Sequence, residues 1–214
     1  LILSQIILKD LLENQNLGLE KAQISSVLAF YELLSKENEV QNLTRLIGPS
    51  DFIEGHLLDT LELIRSGLVD FPAMDLGSGG GVPGLLAAVI RPDHWVLVES
   101  EKRKAEFLAR AVSTLKLEER VSVAGIRAED YLKQSAVESI VARAVGPVDR
   151  IYGWIRKCST WNTLVLLKGP SWEEEWARFQ ASKFKSEIAI EAIHSYEVGP
   201  DNKKRMIVRL TRKK

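Results

Sequence analysis

Apolar residues in the first third of the chain recur at three- and four-residue spacing. Ile6, Ile7, Leu11 and Leu12 mark one helix, and Ile24, Val27, Leu28, Tyr31 and Leu34 mark a second. A third is expected from Ser50, placed to cap it, with Glu54 near its start favouring the helix dipole and His56, Leu57, Leu61 and Ile64 along it. After Phe71-Pro72 the period shortens. Short apolar runs at Ala73–Leu76, Trp95–Glu99, Val121–Ala124, Ser139–Ala142, Thr163–Lys168, His194–Val198 and Met206–Leu210 read as strands. Helical patterns near 83–90, 101–115, 147–158 and 171–183 separate them, the last with a capping-box spacing at Ser171 and Glu174. Strand–helix alternation predicts a mostly parallel sheet covered on both faces. The last two strands are joined only by residues 199–202, too short for a helical crossover, so they are expected to pair antiparallel. The expected fold is α/β, a seven-stranded Rossmann-like sheet ending in an antiparallel hairpin. Residues 1–70 form an N-terminal helical extension and 71–214 the core, as one compact unit.

Composition narrows the class. The chain has 214 residues, 45% of them hydrophobic and 27% charged, as in an ordinary globular protein. A single cysteine excludes an internal disulfide and a cysteine metal cluster, which suits a reducing, cytoplasmic setting. No apolar run approaches a membrane span, and the opening LILSQIILKDLL lacks a basic leader and a small-residue cleavage site. The net charge of zero hides an asymmetry. Residues 1–100 hold 14 acidic and 6 basic side chains, whereas residues 101–214 hold 15 and 23. The last twelve, KKRMIVRLTRKK, contain seven basic groups and no acid. A face of that sign suits phosphates, although a solvated tail would look the same.

The strongest local signal is the segment Asp75-Leu-Gly77-Ser-Gly79-Gly-Gly81-Val-Pro-Gly84, between a strand and a helix that begins near Pro83. Gly79, Gly81 and Gly84 satisfy the dinucleotide fingerprint G-x-G-x-x-G. Read from Asp75, the same stretch is acidic-x-G-x-G-x-G, which is similar to the first motif of class I methyltransferases. A carboxylate at that turn would repel a pyrophosphate but suits the methionine ammonium of S-adenosylmethionine. Glu99 ends the second strand, where either ligand class places an acid on ribose hydroxyls. Ala128 and Glu129, just past the third strand, are placed to border an adenine. Each has a plain structural alternative: a glycine turn without a ligand, a surface carboxylate, a charge at a helix start.

Asn42-Leu-Thr44, His56-Leu-Leu-Asp59-Thr60, the Asp75–Gly84 loop, Arg103-Lys104 with Phe107-Leu108, Arg143-Ala144 and Leu167-Lys168-Gly169 occur in that order. Together they resemble the small-subunit ribosomal RNA methyltransferase G family, formerly called glucose-inhibited division protein B. The resemblance runs from about Leu17 to Leu210. It implies a class I methyltransferase fold and transfer of a methyl group from S-adenosylmethionine to N7 of one guanine in 16S ribosomal RNA. It carries cofactor contacts onto Gly77, Val82, Ala128, Glu129 and Arg143, to which the loop adds Asp75, Gly79 and Gly81, and the second strand Glu99. It carries RNA contacts onto Arg103 or Lys104, Arg127, Arg143, Lys168 and Arg205. The partner is then small-subunit RNA or the small ribosomal subunit, met by a monomer with no membrane. Two positions depart from the common family pattern and keep charge: Glu99 where Asp is frequent, and Arg103-Lys104 where the pair is often reversed.

Guanine N7 already carries an in-plane lone pair, so no obligatory catalytic base and no metal are expected. Catalysis would consist of alignment. Arg143 and Lys168 would hold guanine O6 or phosphates rather than stabilise the cationic product. The spacing of His56 and Asp59 suggests a hydrogen bond between helix and core, and Asn42 and Thr44 suggest a turn. Trp172 and Trp176 are expected to pack rather than stack on bases, and Cys158 to be inert. Three rivals remain open: a methyltransferase for another RNA or a small molecule, a nicotinamide-dependent oxidoreductase, and a non-catalytic RNA-binding assembly factor.

Overall fold

A computed structural model describes residues 2–213. Its N-terminal part is α1 (Ile2–Asn14), α2 (Lys21–Gln41), α3 (Pro49–Phe52), a π-helical turn at Ile53–Leu57, and α4 (Leu58–Ser66). A reciprocal capping box opens α2, where the Glu20 N–H donates to Gln23 Oε1 at 2.8 Å. Asn42 ends it in the left-handed region, at φ 51°. Three local expectations need correction. The inward face of α1 is Leu8 and Leu12, whereas Ile6 and Ile7 are 61% and 43% exposed. Gly48, followed by Pro49 in the first turn, starts α3, so Ser50 caps nothing. The helix carrying His56 is not continuous, because its middle unwinds to a π turn.

The sheet comprises β1 (Ala73–Leu76), β2 (Trp95–Val98), β3 (Val121–Ala124), β4 (Val137–Arg143), β5 (Trp161–Lys168), β6 (Ile188–Val198) and β7 (Lys203–Arg212). The covering helices are α5 (Gly84–Ile90), α6 (Lys102–Thr114), α7 (Ala128–Leu132), α8 (Val148–Ile155) and α9 (Trp172–Gln180). Strand order is β3-β2-β1-β4-β5-β7-β6. All pairs are parallel except those of β7, which runs antiparallel to both β5 and β6. The terminal hairpin thus forms as expected, across Gly199–Asn202. The strand β6 begins six residues earlier than its apolar run suggests, and a register shift falls between Ile190 and Ala192. Ser171 precedes α9 without a side-chain cap, so the expected box with Glu174 is absent.

Alternation along each strand splits the core in two. Ala73, Trp95, Leu97, Val141 and Val165 face α1, α2, α4, α5 and α6. Met74, Val96, Val98, Ile140 and Leu164 face α7, α8 and α9. The helical extension therefore closes one face of the sheet. Trp172, Trp176 and Phe179 stack within the other, with ring centroids 5.5 and 5.1 Å apart. No helix of the described residues is long and apolar enough to cross a membrane.

The arginines of the basic C-terminal strand are engaged internally, while Lys203, Lys204 and Lys213 stay exposed. Arg209 pairs with Asp70 at 2.7 Å and Glu191 at 2.9 Å, Arg212 lies 4.1 Å over the Trp161 ring, and Arg205 turns inward to Asp59. Those arginines clamp β7 to its neighbours. Lys214 lies outside the described residues.

Candidate functional site

The order of strands reverses between β1 and β4, and ligands of open α/β sheets bind at the carboxyl ends of strands beside such a switch. The glycine loop sits there. Four of its glycine amides are engaged internally. The Gly77 N–H donates to Val98 O at 2.9 Å, the Gly79 N–H to Glu99 Oε2 at 3.0 Å, the Gly81 N–H to Ser78 O at 2.7 Å and the Gly84 N–H to Asp75 Oδ2 at 3.0 Å. A phosphate-cradling loop needs those donors turned toward the ligand. This one offers shape instead. At Gly79, φ is +51° and a Cβ would meet only Gly77 O, at 3.8 Å, so the backbone leaves open space for a ligand. At Gly77 a Cβ would lie 2.9 Å from Val145 Cγ2, so this glycine lets the segment after β4 close over the loop.

Three adjoining cavities line the carboxyl edge. The first, about 280 Å³, runs past Gly79, Glu99, Ser100, Ile126, Ala128 and Glu129. The second, about 510 Å³, lies beneath residues 43–46 and reaches His56, Gly79 and Val82. The third, about 360 Å³, continues to Gly55, Asp59, Lys168, Gly169, Tyr196 and Arg205. Arg143 and Ala144 border all three, at the end of β4.

Arg143 is the centre of a buried network. Its guanidinium donates to Asp59 Oδ2 at 2.9 Å, to Gly55 O, and to His56 Nδ1 at 2.6 Å. With Nδ1 an acceptor, the proton of a neutral His56 resides on Nε2, which faces Thr44 Oγ1 at 3.0 Å. That hydroxyl also accepts the Leu46 N–H at 3.0 Å, so the network fixes the segment roofing the second cavity. Burial first, and then the Arg143 charge, push the His56 pKa down to about 3, so the ring is neutral at physiological pH. Asp59 gathers three donors: Arg143, Arg205, and the Tyr196 hydroxyl at 2.8 Å. Burial and then the Asp59 charge raise the Tyr196 phenol far above its ordinary range. The π turn matters here, because it turns the Gly55 carbonyl and His56 toward Arg143 where a regular helix would keep its carbonyls in the ladder.

The sequence-predicted residues fall into two groups. Gly77, Gly79, Glu99, Ala128, Glu129 and Arg143 line the first cavity, and Val82 the second. Arg127 and Lys104 also reach the first, Lys104 through an ion pair to Glu101 at 2.6 Å, and Arg103 is exposed in the first turn of α6. Asp75 and Gly81 stand apart. The Asp75 carboxylate is 1% exposed and sealed under the loop against Gly84, so it braces the start of α5. A Cβ at Gly81 would meet Leu85 and Phe30, a packing contact. Lys168 and Arg205 border the third cavity but are committed internally. Lys168 Nζ donates to Gly146 O at 3.0 Å and Glu175 Oε1 at 2.6 Å, and Glu175 also accepts the Val148 N–H at 2.6 Å. Thr44, Gly55, Ile126 and Tyr196 escaped the sequence reading as site residues. The N-L-T and H-x-L-D motifs held a signal for the first two, while Ile126 and Tyr196 had none.

Burial is the first cause raising the Asp75 pKa, to about 6 from 3.8, against the Gly84 hydrogen bond. The folded state then binds its proton more tightly than the unfolded state does. Stability from this group is present below about pH 4 and is lost as pH rises through about 6. Each tenfold difference in proton affinity between the two states is worth about 1.4 kcal/mol. An Asp75→Asn variant, whose amide oxygen can still accept the Gly84 N–H, is therefore expected to unfold at higher denaturant than wild type at pH ~7.5. The gain should shrink near pH ~4.5. Urea titrations at both values check this, and an equal difference at both contradicts it.

The rRNA small subunit methyltransferase G family model matches residues 23–207. Curated proteins named ribosomal RNA small subunit methyltransferase G are similar over most of the chain. The one from Solibacter usitatus is 32% identical over 85% of this chain and 86% of its own length. That from Rhodopirellula baltica is 32% identical over 89% and 83%. Among solved structures, a human methyltransferase 10 domain containing protein superposes with a TM-score of 0.52 at 12% identity, over 71% of this chain and 78% of that one. TrmK of M. capricolum, solved with S-adenosyl-homocysteine, gives 0.50 at 10% identity over 66% and 62%. At such identities these structures bear on the fold alone.

Proposed function

The chain belongs to the ribosomal RNA small subunit methyltransferase G family, and we propose that within it this protein methylates N7 of a guanine in small-subunit RNA. The enzyme is an S-adenosylmethionine-dependent ribosomal RNA methyltransferase. The site fits that cofactor: Gly79 leaves the space a Cβ would fill, Glu99 sits where a ribose would need an acceptor, and Ile126 and Ala128 give an adenine apolar walls. When bound, it supplies an electrophilic methyl group. The nicotinamide alternative fails on the family match, which is to a methyltransferase. We infer a monomer working in the cytoplasm, with the guanine entering the third cavity.

One observation carries the choice of N7: at the acceptor cavity, the described residues offer no group free to take a proton. His56, which lines the adjoining second cavity, has its lone pair held by Arg143 and its N–H facing Thr44. Asp59 is filled by three donors. An exocyclic amine or a hydroxyl would need a base, whereas N7 presents its lone pair unaided. What the residues provide is alignment and exclusion of water. Arg143 joins the cofactor side to the acceptor side, and Ala144 closes the gap between them.

Single-turnover transfer of radiolabelled methyl to small-subunit RNA tests this. The rate is expected to lack any limb with a histidine-like pKa of about 6.5. His56→Gln should act within a few-fold of wild type, since an amide can both accept from Arg143 and donate to Thr44. A folded His56→Gln enzyme slowed ~10²–10⁴-fold, the usual contribution of a general base, would require a different acceptor atom.

A further inference from the structure

The carboxyl edge of the sheet holds side chains for which the transfer itself has no role. Trp154 of α8 is one of them: it is 37% exposed and reaches the rim of the first cavity, beside Ile126. The other tryptophans are inside: Trp95, Trp161 and Trp172 are buried, and Trp176 is half-buried in its stack with Phe179. Arg150 stands one turn before Trp154, at i and i+4, so the two share a face of α8. Arg127 borders the same cavity from the residue preceding α7. Among the described residues neither Arg127 nor Arg150 makes an ion pair. Five of the eleven arginines of residues 101–214 do: Arg110, Arg143, Arg156, Arg205 and Arg209.

A flat aromatic face left in water, flanked by two unpaired guanidinium groups, is the chemistry that holds a single-stranded nucleotide. The base stacks on the ring and the phosphates meet the cations. The neighbouring α6 adds Lys102, Arg103 and Lys104 in a first turn that contains no acid, where the helix dipole disfavours cations. Placing positive charge there costs stability and is consistent with a polyanion passing over this rim. We propose that Trp154, with Arg127 and Arg150, forms a stacking site for an unpaired nucleotide flanking the acceptor guanine. This rests on the RNA reading above. It adds Trp154 and Arg150, neither of which is a position the family resemblance supplies, on the adenine side of the cleft.

The test is methyl transfer to small-subunit RNA as a function of RNA concentration, with S-adenosylmethionine binding measured by calorimetry on the same preparations. Trp154→Ala is expected to raise the half-saturating RNA concentration by about 5- to 150-fold, the range for loss of one base–aromatic stack. Trp154→Phe should recover most of it. Arg150→Ala should flatten the salt dependence of RNA binding by about one unit of log–log slope. Arg178→Ala, an exposed arginine in the last turn of α9, serves as the control and should match wild type. Weakened cofactor binding in Trp154→Ala with unchanged RNA saturation would make the indole a cover for adenine and overturn the proposal. Normal wild-type transfer with Trp154→Ala indistinguishable from it overturns this inference alone. A wild-type protein that transfers nothing to the RNA overturns the substrate reading and this inference with it.

Discussion

An Arg143→Met variant is expected to lose methyl transfer by about a hundredfold or more and to lose roughly 3 kcal/mol of folding stability. The two losses have separate causes. Asp59, 5% exposed, keeps Arg205 and Tyr196 but loses one of its two charged partners, and breaking a buried pair costs ~3–5 kcal/mol when nothing replaces it. His56 Nδ1 and the Gly55 carbonyl lose their donor at the same time, so the π turn and the segment above Thr44 lose their anchor. All three cavities share this side chain, so their relative placement goes with it. Arg143→Lys separates charge from geometry. An ammonium can pair with Asp59, but it cannot span Asp59, Gly55 and His56 as a planar fork does. Stability should recover more than activity. Urea denaturation alongside single-turnover transfer checks both. A methionine variant that turns over within a few-fold of wild type would remove Arg143 from the centre of the site.

Gly79→Val should abolish measurable S-adenosylmethionine binding, a loss of about a hundredfold or more in affinity, while the sheet stays folded. The side chain would occupy the open space beside the loop, and a β-branched residue at φ +51° adds about 1–2 kcal/mol of backbone strain. Gly77→Val makes a different prediction. Its side chain meets Val145, so the loop and the segment after β4 are driven apart and stability falls as well. Calorimetry with thermal unfolding tells the two apart. A folded Gly79→Val protein with wild-type affinity would move the cofactor elsewhere.

The parts of the fold that were legible in the sequence are those where one local rule dominates. β1 and β2 are four-residue buried runs and β3 a four-residue edge strand with one buried residue, and they lie where the apolar pattern puts them. β6 mixes Ile with Glu, Ser and His because part of it is solvated, and its first six residues carry no clear period. The five residues of α7 are too few for a helical repeat. In α1 two apolar stripes compete, and which one turns inward is settled by packing on α2. The site was half legible. Glycines and the strand-end acid Glu99 reveal themselves by position, so the residues that line the first cavity could be grouped in advance. Whether a charged side chain is free or paired depends on contacts distant in sequence. Asp59 and Arg205 are 146 positions apart, and this is why the internal ion pair of Arg205, a residue read as an RNA ligand, was not visible in the sequence.

The seventh strand in chain order does not lie at the rim of the sheet. β7 follows β6 in the chain yet sits between β5 and β6, so β6 has no place to dock until its successor has emerged. β7 also brings Arg205 to Asp59. The first cavity draws on residues no later than Trp154, whereas the third takes Tyr196 and Arg205 from the hairpin and is walled only once both strands are in place.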